Sequence, residues 1–389
     1  MINIIKDILL KQRRNKTISI FIPSFEKGGV ERNILIVSKM LIKNNIEVDL
    51  IYSRNDDELF SQLNEKVNKI KIKRFLNIPI IHPRIIDSLN IVFGYFIYLI
   101  KNKKKLIVIS FQNNLVAIIL CKILNIKIIA RVASHPNVAN IEKSFVIKMS
   151  HKLKGIIYRY ATLIITNSEA TTKEIRKLTK AKTETIYNPT FDDTILFKSK
   201  ELVDDDIFNC IKNKKIVAVG RLSFEKDFQT LIKAFKIAKN KIDCSLVFVG
   251  EGKELENLQR LVSLLDIEKY VFFLGFKSNP YKYIANCDLL VLSSLYEGLP
   301  NVIIESIAIG TPVVATDCLS GPREILLDGK GGDLVEVGNV NQMSDAIIRN
   351  LASAEYSNGK LKHAQAHLER FNIDSISKKY LELINRMSK

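Results

Sequence analysis

Short apolar runs alternate with longer amphipathic segments along most of the chain. The short runs are rich in Ile, Val and Leu, and several lack the polar alternation of a strand with one solvent-exposed face. Such unbroken apolar runs are typical of strands that are buried on both faces of a parallel sheet. Strands are predicted at 18–22, 47–52, 69–72, 106–110, 127–132, 163–167, 215–219, 245–250, 271–275, 289–292, 312–315 and 333–335. Helical spacing fills the segments between them. The alternation predicts an α/β fold of two doubly wound, Rossmann-like domains.

The length supports two domains, because 389 residues exceed what one hydrophobic core usually holds. The boundary is expected near 188–213, where Asn188-Pro189 ends a strand and the following segment lacks clear periodicity. The acidic run Asp204-Asp205-Asp206 in that segment is expected to be solvated. We therefore predict a first domain over 1–190, a second over 191–372, and a final helix over 373–389.

Charge is divided unevenly between the two halves. Residues 1–190 hold 33 Lys and Arg against 14 Asp and Glu, a net charge of +19, whereas the remainder holds 26 against 27, a net charge of −1. Basic clusters at 11–16, 69–74, 101–105 and 148–159 lie beside apolar runs, which suits an anionic membrane surface or an acidic substrate. A composition rich in lysine is the alternative explanation. No nucleic-acid-binding motif accompanies the charge, so no nucleic-acid partner is expected.

Other classes are disfavoured by what the sequence contains. The five cysteines are far apart and form no CxxC pair, which argues against a disulfide framework or a cysteine zinc site and fits a reducing cytosol. His363 and His367 suit a helix surface better than a metal site. No metal and no cofactor are expected. No apolar run reaches the ~18 residues of a membrane-spanning helix, and residues 1–10 make a poor secretion signal.

The segment from Ser293 to Glu305 is the most informative candidate site. It follows a predicted strand, and open parallel sheets bind ligands at the carboxyl ends of their strands. Proline 300 at the expected first helical position leaves the amides of Asn301 and Val302 facing outward, where they suit an anion. Glu297 precedes that point and Glu305 follows it, so two carboxylates flank a predicted phosphate site. An ordinary loop and helix remain the alternative.

Three other strand ends carry candidate residues. Gly220 is followed by Arg221 and Lys226, two cations that suit phosphate oxygens, with an Arg221–Glu225 surface pair as the alternative. Gly28-Gly29 opens a helix and suits close approach to a ligand, although the GxGxxG dinucleotide fingerprint is absent. His135 follows a strand and suits contact with a sugar, with a structural histidine before proline as the alternative.

Together these residues resemble the GT-B glycosyltransferases, in particular the retaining enzymes of family 4 with a glutamate-x7-glutamate motif. The resemblance rests on Gly28 to Glu31, Gly220 to Lys226, Val249 to Gly252, Glu297 to Glu305 and Ser320 to Glu324. It implies two domains facing a central cleft, no metal, and a final helix that returns to the first domain. It implies catalytic roles for Glu297, His135, Arg221 and Lys226. The donor-binding residues implied are Gly28, Gly29, Gly220, Arg221, Lys226, Phe276, Leu299, Asn301, Val302 and Glu305.

The function implied is transfer of a sugar from a nucleotide diphosphate donor, expected to be a UDP-hexose or UDP-N-acetylhexosamine, with retention of configuration. The acceptor expected is a membrane-anchored saccharide linked to polyprenyl diphosphate, used in surface polysaccharide synthesis. The basic first domain would bind the acceptor at the cytoplasmic face of the membrane, and the second would bind the donor. The alternatives are a non-catalytic basic binding protein and a silent partner of another glycosyltransferase.

Overall fold

The computed structural model describes residues 17–25, 28–55, 57–73, 83–103, 106–133 and 145–388. Contacts divide the chain into two compact units, Met1–Pro189 with Ile376–Lys389, and Thr190–Ser375. None of the helices in the described ranges combines the length and the apolar run that crossing a bilayer requires.

The first unit is built on a seven-stranded parallel sheet of order β5-β3-β1-β6-β7-β8-β9. The order reverses between β1 and β6, as in a doubly wound fold. The strands of this unit, including a short separate pair β2–β4, are β1 (Thr17–Phe21), β2 (Ser24–Phe25), β3 (Glu47–Tyr52), β4 (Arg54–Asn55), β5 (Asn68–Lys71), β6 (Leu106–Ser110), β7 (Lys127–Val132), β8 (Leu163–Thr166) and β9 (Thr183–Thr185). The helices are α1 (Gly29–Lys43), α2 (Asp57–Phe60), α3 (Pro83–Asn102), α4 (Asn114–Leu124), α5 (Phe145–Tyr158) and α6 (Glu169–Leu178).

Helices α3, α4 and α5 pack side by side over one face of this sheet, and apolar residues fill the space beneath them. Phe21 of β1 stacks on Tyr95 of α3 with ring centroids 3.9 Å apart. Strand β6 is buried along its whole length, which explains its unbroken apolar run. The sides of α3, α4 and α5 that face the sheet pack against this apolar core.

The second unit contains a six-stranded parallel sheet of order β12-β11-β10-β13-β14-β15. This order reverses between β10 and β13, so both predicted doubly wound folds are confirmed. Its strands are β10 (Lys214–Val219), β11 (Cys244–Val249), β12 (Val271–Phe273), β13 (Leu289–Leu292), β14 (Val313–Thr316) and β15 (Asp333–Val335). Its helices are α7 (Asp193–Ser199), α8 (Asp206–Asn209), α9 (Phe228–Lys239), α10 (Leu255–Leu264), α11 (Tyr281–Ala285), α12 (Asn301–Ile309), α13 (Pro322–Ile325), α14 (Val340–Ala352) and α15 (Ala354–Gln365).

Several helices begin where short polar side chains satisfy the first backbone amides. Ser168 accepts a hydrogen bond from the amide of Thr171 at the start of α6, and Ser353 accepts one from Tyr356 at the start of α15. Such caps are worth about 1 kcal/mol each. They fix where each of these helices begins.

The last helix, α16 (Ile373–Ser388), packs from Ile376 onward within the first unit. Arg131 of β7 is fully buried and donates hydrogen bonds to the Tyr380 hydroxyl and to Asn188 Oδ1, the latter at 2.7 Å. Lys127 donates to the carbonyl of Met387 at 2.7 Å. These contacts attach α16 to β7 of the first sheet.

The segment predicted to be an irregular linker differs from the sequence expectation. It contains α7 and α8, and the Asp205 side chain accepts hydrogen bonds from the Phe208 amide and from Lys277 Nζ at 2.8 Å. The expectation that Asp205 is solvated was therefore wrong. The cause is a cation distant in sequence, which no local pattern reveals. Pro300 likewise lies at the N-cap of α12 and not at its first helical position.

Candidate active site

The candidate residues of the second unit lie where its strand order reverses. Strand β10 ends at Val219 and is followed by Gly220, while its neighbour β13 ends at Leu292 and is followed by Ser293. Parallel strands present their carboxyl ends at the same edge of the sheet, and the reversal opens a crevice between the loops there. The two predicted loops therefore emerge side by side.

The loop after β10 is held closely against the loop after β11. The amide of Leu222 donates to the carbonyl of Glu251 at 2.8 Å, and the Leu222 carbonyl accepts from the Glu254 amide at 3.0 Å. A Cβ on Gly250 would overlap the carbonyl of Gly220, and one on Gly252 would overlap that of Leu222. Glycine at these positions permits the close approach of the two backbones.

Arg221 projects from this supported loop with an exposed side chain. Within the described ranges its guanidinium forms no ion pair, and the Arg221–Glu225 pair considered from the sequence is not among the contacts. The cation of the same loop that does have a partner is Lys226.

Lys226 and Glu297 form an ion pair across the strand-order reversal. Lys226 Nζ lies 2.6 Å from Glu297 Oε1, and the Ser294 hydroxyl donates to the same oxygen at 2.7 Å. Their side chains are only 18% and 14% exposed, respectively. Ser293 Oγ also donates to the carbonyl of Lys226 at 2.7 Å. The structure thus brings together a cation and a carboxylate that the sequence placed on separate loops.

The amino end of α12 adjoins this pair. Pro300 is its N-cap, and within the described part of the chain no side chain caps that end. Asn301 and Val302 form its first turn and are half-buried, while Leu299 is buried. Glu305, one turn later, is buried and lies 3.5 Å from the Tyr281 hydroxyl. Along the chain, the positive end of the helix dipole thus falls between Glu297 and Glu305.

The end of β14 and the loop after it contact the loop that carries Glu297. Ser320 Oγ lies 2.7 Å and 2.8 Å from the carbonyl oxygens of Glu297 and Gly298. Thr316 Oγ1 donates to the Ser294 carbonyl at 2.6 Å. Gly321 has a φ of +93°, and a Cβ there would lie 3.0 Å from the Gly298 carbonyl oxygen. Thr316 ends an apolar strand and could have been singled out from the sequence, whereas Ser320 lies four residues beyond that strand and carries no such signal.

The remaining candidates occupy other places. Phe276 follows β12, and its amide donates to Glu251 Oε1 at 3.1 Å. Gly28 and Gly29 belong to the first unit and begin α1, where a Cβ on Gly28 would lie 2.6 Å from Glu31 Oε2. The buried Glu31 carboxylate thus fills the space that Gly28 leaves. His135 lies outside the described residues.

The chemistry of the second-unit site favours an anion. Two cations and a helix amino end suit phosphate oxygens, and glutamates beside them suit hydroxyl groups. Burial, followed by the charge of Glu297, raises the pKa of the Cys318 thiol to about 12, so this thiol stays neutral and is a poor nucleophile. Within the described ranges, no group of three or more His, Cys, Asp or Glu residues could hold a metal ion.

Comparisons with known proteins agree with this chemistry. Residues 205–365 match the family model described as glycosyl transferases group 1. A Campylobacter jejuni enzyme, N-acetylgalactosamine-N,N'-diacetylbacillosaminyl-diphospho-undecaprenol 4-alpha-N-acetylgalactosaminyltransferase, is 29% identical over 382 residues, 94% of this chain and 99% of that protein. The lipopolysaccharide 1,6-galactosyltransferase of Salmonella typhimurium is 27% identical over 207 residues, 52% of this chain and 55% of that protein.

Solved structures show the same fold at lower identity. HepE from Anabaena, in complex with UDP-glucose, has a TM-score of 0.78 at 19% identity, covering 95% of this chain and 99% of that one. Sucrose-phosphate synthase from Thermosynechococcus elongatus has a TM-score of 0.75 at 18% identity, covering 96% and 99%. The chain is therefore a glycosyltransferase of the GT-B fold, and its residues 205–365 form a domain of the glycosyl transferases group 1 family.

Proposed function

We propose that this enzyme transfers a hexose or N-acetylhexosamine from a UDP-sugar to a saccharide linked to polyprenyl diphosphate, with retention of anomeric configuration, in surface polysaccharide synthesis. The observation that carries the donor site is the Lys226–Glu297 pair beside the amino end of α12. The acceptor class is supported by the name of the Campylobacter jejuni relative, which includes a diphospho-undecaprenol.

The donor would be held by its pyrophosphate. Arg221 and Lys226 would contact the phosphate oxygens, and the amides at the start of α12 would add a partial positive charge. Glu305 would accept hydrogen bonds from the ribose hydroxyls, because its carboxylate is buried one turn into the same helix. Phe276, Leu299, Asn301 and Val302 would complete the walls around the nucleotide, while Gly220 lets the loop turn toward it.

Lys226 needs a new position or a second partner before it can serve the phosphate. In this structure its ammonium lies against Glu297, so the charges of these two side chains offset each other. A pyrophosphate would attract the ammonium and leave the Glu297 carboxylate to accept a hydrogen bond from the transferred sugar. Ser294 and Ser320 would keep Glu297 in place during that exchange, since both already bond to it.

Departure of UDP would build negative charge on the β-phosphate. Cations and amides placed beforehand stabilise such charge, and loss of one such donor typically costs about 10²–10³ in turnover. We propose front-face substitution, in which the leaving phosphate takes the proton of the acceptor hydroxyl as the new bond forms. An alpha linkage in the names of the Campylobacter jejuni and Staphylococcus aureus relatives supports retention, because UDP-hexoses are themselves alpha-linked.

The first unit would bind the lipid-linked acceptor, and its basic surface would hold the enzyme at the cytoplasmic face of the membrane, where UDP-sugars are made. Gly28 and Gly29 would close over the donor phosphates, and His135 would contact the sugar. Neither nucleic acid nor a metal enters this proposal. The non-catalytic alternatives are not favoured, because the relatives compared are named as transferases.

The decisive experiment compares Arg221→Ala and Lys226→Ala with the wild type. Turnover of a UDP-sugar should fall about 100-fold or more in each variant, because each removes one stabilising cation. Arg260→Ala is a matched control, since Arg260 is exposed on α10 and pairs only weakly with Glu256. UDP at 100 times its dissociation constant should stabilise the wild type by about 2.7 kcal/mol. Wild-type turnover in both site variants would refute the assignment.

A further inference from the structure

The exposed large apolar side chains of the first unit are concentrated on one layer of helices. Within the described ranges of this unit, all eight such side chains lie on α3, α4, and α5 with the turn after it. They are Leu89, Phe93 and Ile100 on α3, Ile119 and Ile123 on α4, and Leu153, Ile156 and Tyr160 on and after α5. Because α4 packs against both α3 and α5, the three sets are neighbours. We call this surface the outer helical face.

Helical spacing places each set opposite the side that packs on the sheet. Ile119 and Ile123 are one turn apart on α4, while Cys121, about half a turn from both, is fully buried. The same relation holds on α3, where Phe93 is exposed and Tyr95 is buried. The apolar residues therefore form outward stripes on adjacent helices and are not side chains left over at the rim of the core.

The outer helical face is also strongly basic. Between Asp87 and Glu169 the sequence contains twelve Lys and Arg and a single acidic residue, Glu142, which lies outside the described residues. Two of the twelve do not belong to the face, since Arg131 is buried in β7 and Lys127 of the same strand binds the Met387 carbonyl. The exposed cations that the structure describes there include Lys101, Lys122, Lys152 and Arg159.

Cations and apolar groups are interleaved on this surface. Lys122 Nζ lies 5.6 Å from the centroid of the Tyr160 ring, and Arg159 Cζ lies 5.2 Å from it. This contact joins α4 to the end of α5. Asp87, the only acidic residue of α3, is neutralised by an ion pair with Arg54. Few negative charges therefore offset the basic residues.

We propose that the outer helical face docks on an anionic lipid bilayer, with its apolar side chains entering the interface and its lysines and arginines among the head groups. Long basic side chains can lie along apolar surface while their charges remain in the polar layer. Apolar stripes alone would equally suit a second copy of this chain. A two-fold interface, however, sets the same surface against itself and would oppose the basic charges, so the bilayer fits better.

This docking surface rests on the proposed function, because a lipid-linked acceptor presents its diphosphate at the bilayer surface. Beyond that function, the docking surface specifies which face of the first unit approaches the membrane. The donor site lies in the second unit, so binding of UDP and binding of lipid can be measured separately.

The apolar stripes are tested by sedimentation with vesicles of phosphatidylcholine, with and without phosphatidylglycerol. The triple variant Phe93→Gln, Ile123→Gln, Ile156→Gln takes one exposed residue from each helix and should bind vesicles about tenfold more weakly than the wild type. The control is Phe197→Gln with Leu202→Gln in the second unit, where the two side chains are 75% and 89% exposed. The control should bind vesicles as the wild type does.

Charge is tested with Lys122→Gln and Lys152→Gln. Binding should rise with phosphatidylglycerol content, and each substitution should weaken it roughly fivefold. Lys241→Gln and Lys330→Gln, exposed in the second unit, are the matched controls. Absence of wild-type vesicle binding, or equal binding by the outer-face variants, overturns the proposal. A change from dimer to monomer in the triple variant would overturn it in favour of a protein interface.

The same proteins are titrated with UDP in the absence of lipid. Outer-face variants should bind UDP as the wild type does, because none of the substituted residues belongs to the donor site. Vesicle binding without UDP binding by the wild type would refute the proposed function and leave the docking surface standing. UDP binding without vesicle binding would refute the docking surface alone.

Discussion

Substitution of Gly252 by alanine should displace the loop that carries Arg221 without adding strain at a positive φ. A Cβ on Gly252 would lie 2.6 Å from the Leu222 carbonyl carbon and 2.7 Å from the Leu222 nitrogen. Carbon atoms in contact are normally about 3.5–4.0 Å apart, so Leu222 would have to move by about 1 Å. That movement would weaken the hydrogen bonds joining Leu222 to Glu251 and Glu254.

The expected cost to stability is about 1–3 kcal/mol, the usual range for overpacking, which corresponds to a fall in Tm of roughly 3–10 °C. Turnover should fall further, because a displacement of about 1 Å at a positioning group can cost about 100-fold. Thermal unfolding followed by circular dichroism measures the first quantity, and release of UDP from a UDP-sugar measures the second.

Gly310→Ala is the matched control. Gly310 has a φ of +102° at the C-terminal end of α12, and a Cβ there would meet nothing within 4 Å. It adds backbone strain of about 1 kcal/mol without moving the loop after β10. Turnover should therefore stay near that of the wild type. A folded Gly252→Ala enzyme with wild-type turnover would refute the view that the loop after β10 positions the donor.

Two further predictions concern ion pairs of the second unit. A double-mutant cycle of Lys226→Met and Glu297→Gln can be measured by urea unfolding. The coupling free energy should be about 1–2 kcal/mol, because both side chains are mostly buried. A coupling free energy of zero would contradict a stabilising ion pair between them. For Asp333, burial alone would raise the pKa, but hydrogen bonds from Lys360, Tyr356 and Arg349 outweigh it and lower the pKa below 3.8. The stabilisation by the ionised Asp333 carboxylate is therefore complete above pH 3.8 and is lost as the pH falls through the pKa of the folded protein. The difference in Tm between the wild type and Asp333→Asn should narrow in acid. A difference in Tm that stays constant with pH would contradict this prediction.

The fold could be predicted from sequence because the evidence for it is local. Several buried parallel strands, such as β6 and β13, are nearly unbroken apolar runs, and amphipathic helical segments alternate with the strands, so the pattern indicates two doubly wound sheets. The positions of Gly220, Ser293 and Pro300 after strands follow from the same pattern. Element ends were less well predicted, and the short strand β9 was missed because Thr183–Thr185 lacks an apolar run.

Contacts between distant residues could not be predicted in the same way. Lys226 and Glu297 lie on loops separated by three strands of the chain, and only the sheet order makes them neighbours. The hydrogen bond from Arg131 to Tyr380 was even less predictable, because nothing in the sequence near a buried arginine of an apolar strand indicates its partner. Sequence patterns identify which residues have suitable chemistry, whereas topology decides which of them meet.

The family match covers residues 205–365 and therefore lies entirely within the second unit, although the fold extends through both. The tasks proposed for the two units would explain this difference. On the proposed function, a donor pyrophosphate would require cations, helix amides and close backbone approach at fixed places, so residues such as Lys226 and the closely packed Gly252 would tolerate little change. A surface that meets lipid needs only apolar and basic side chains facing outward, which many sequences supply. Variants of the outer helical face should accordingly be tolerated when hydrophobicity and charge are kept, as in Ile123→Leu or Lys122→Arg, whereas Lys226→Arg would place a larger fork against Glu297 and should lower turnover.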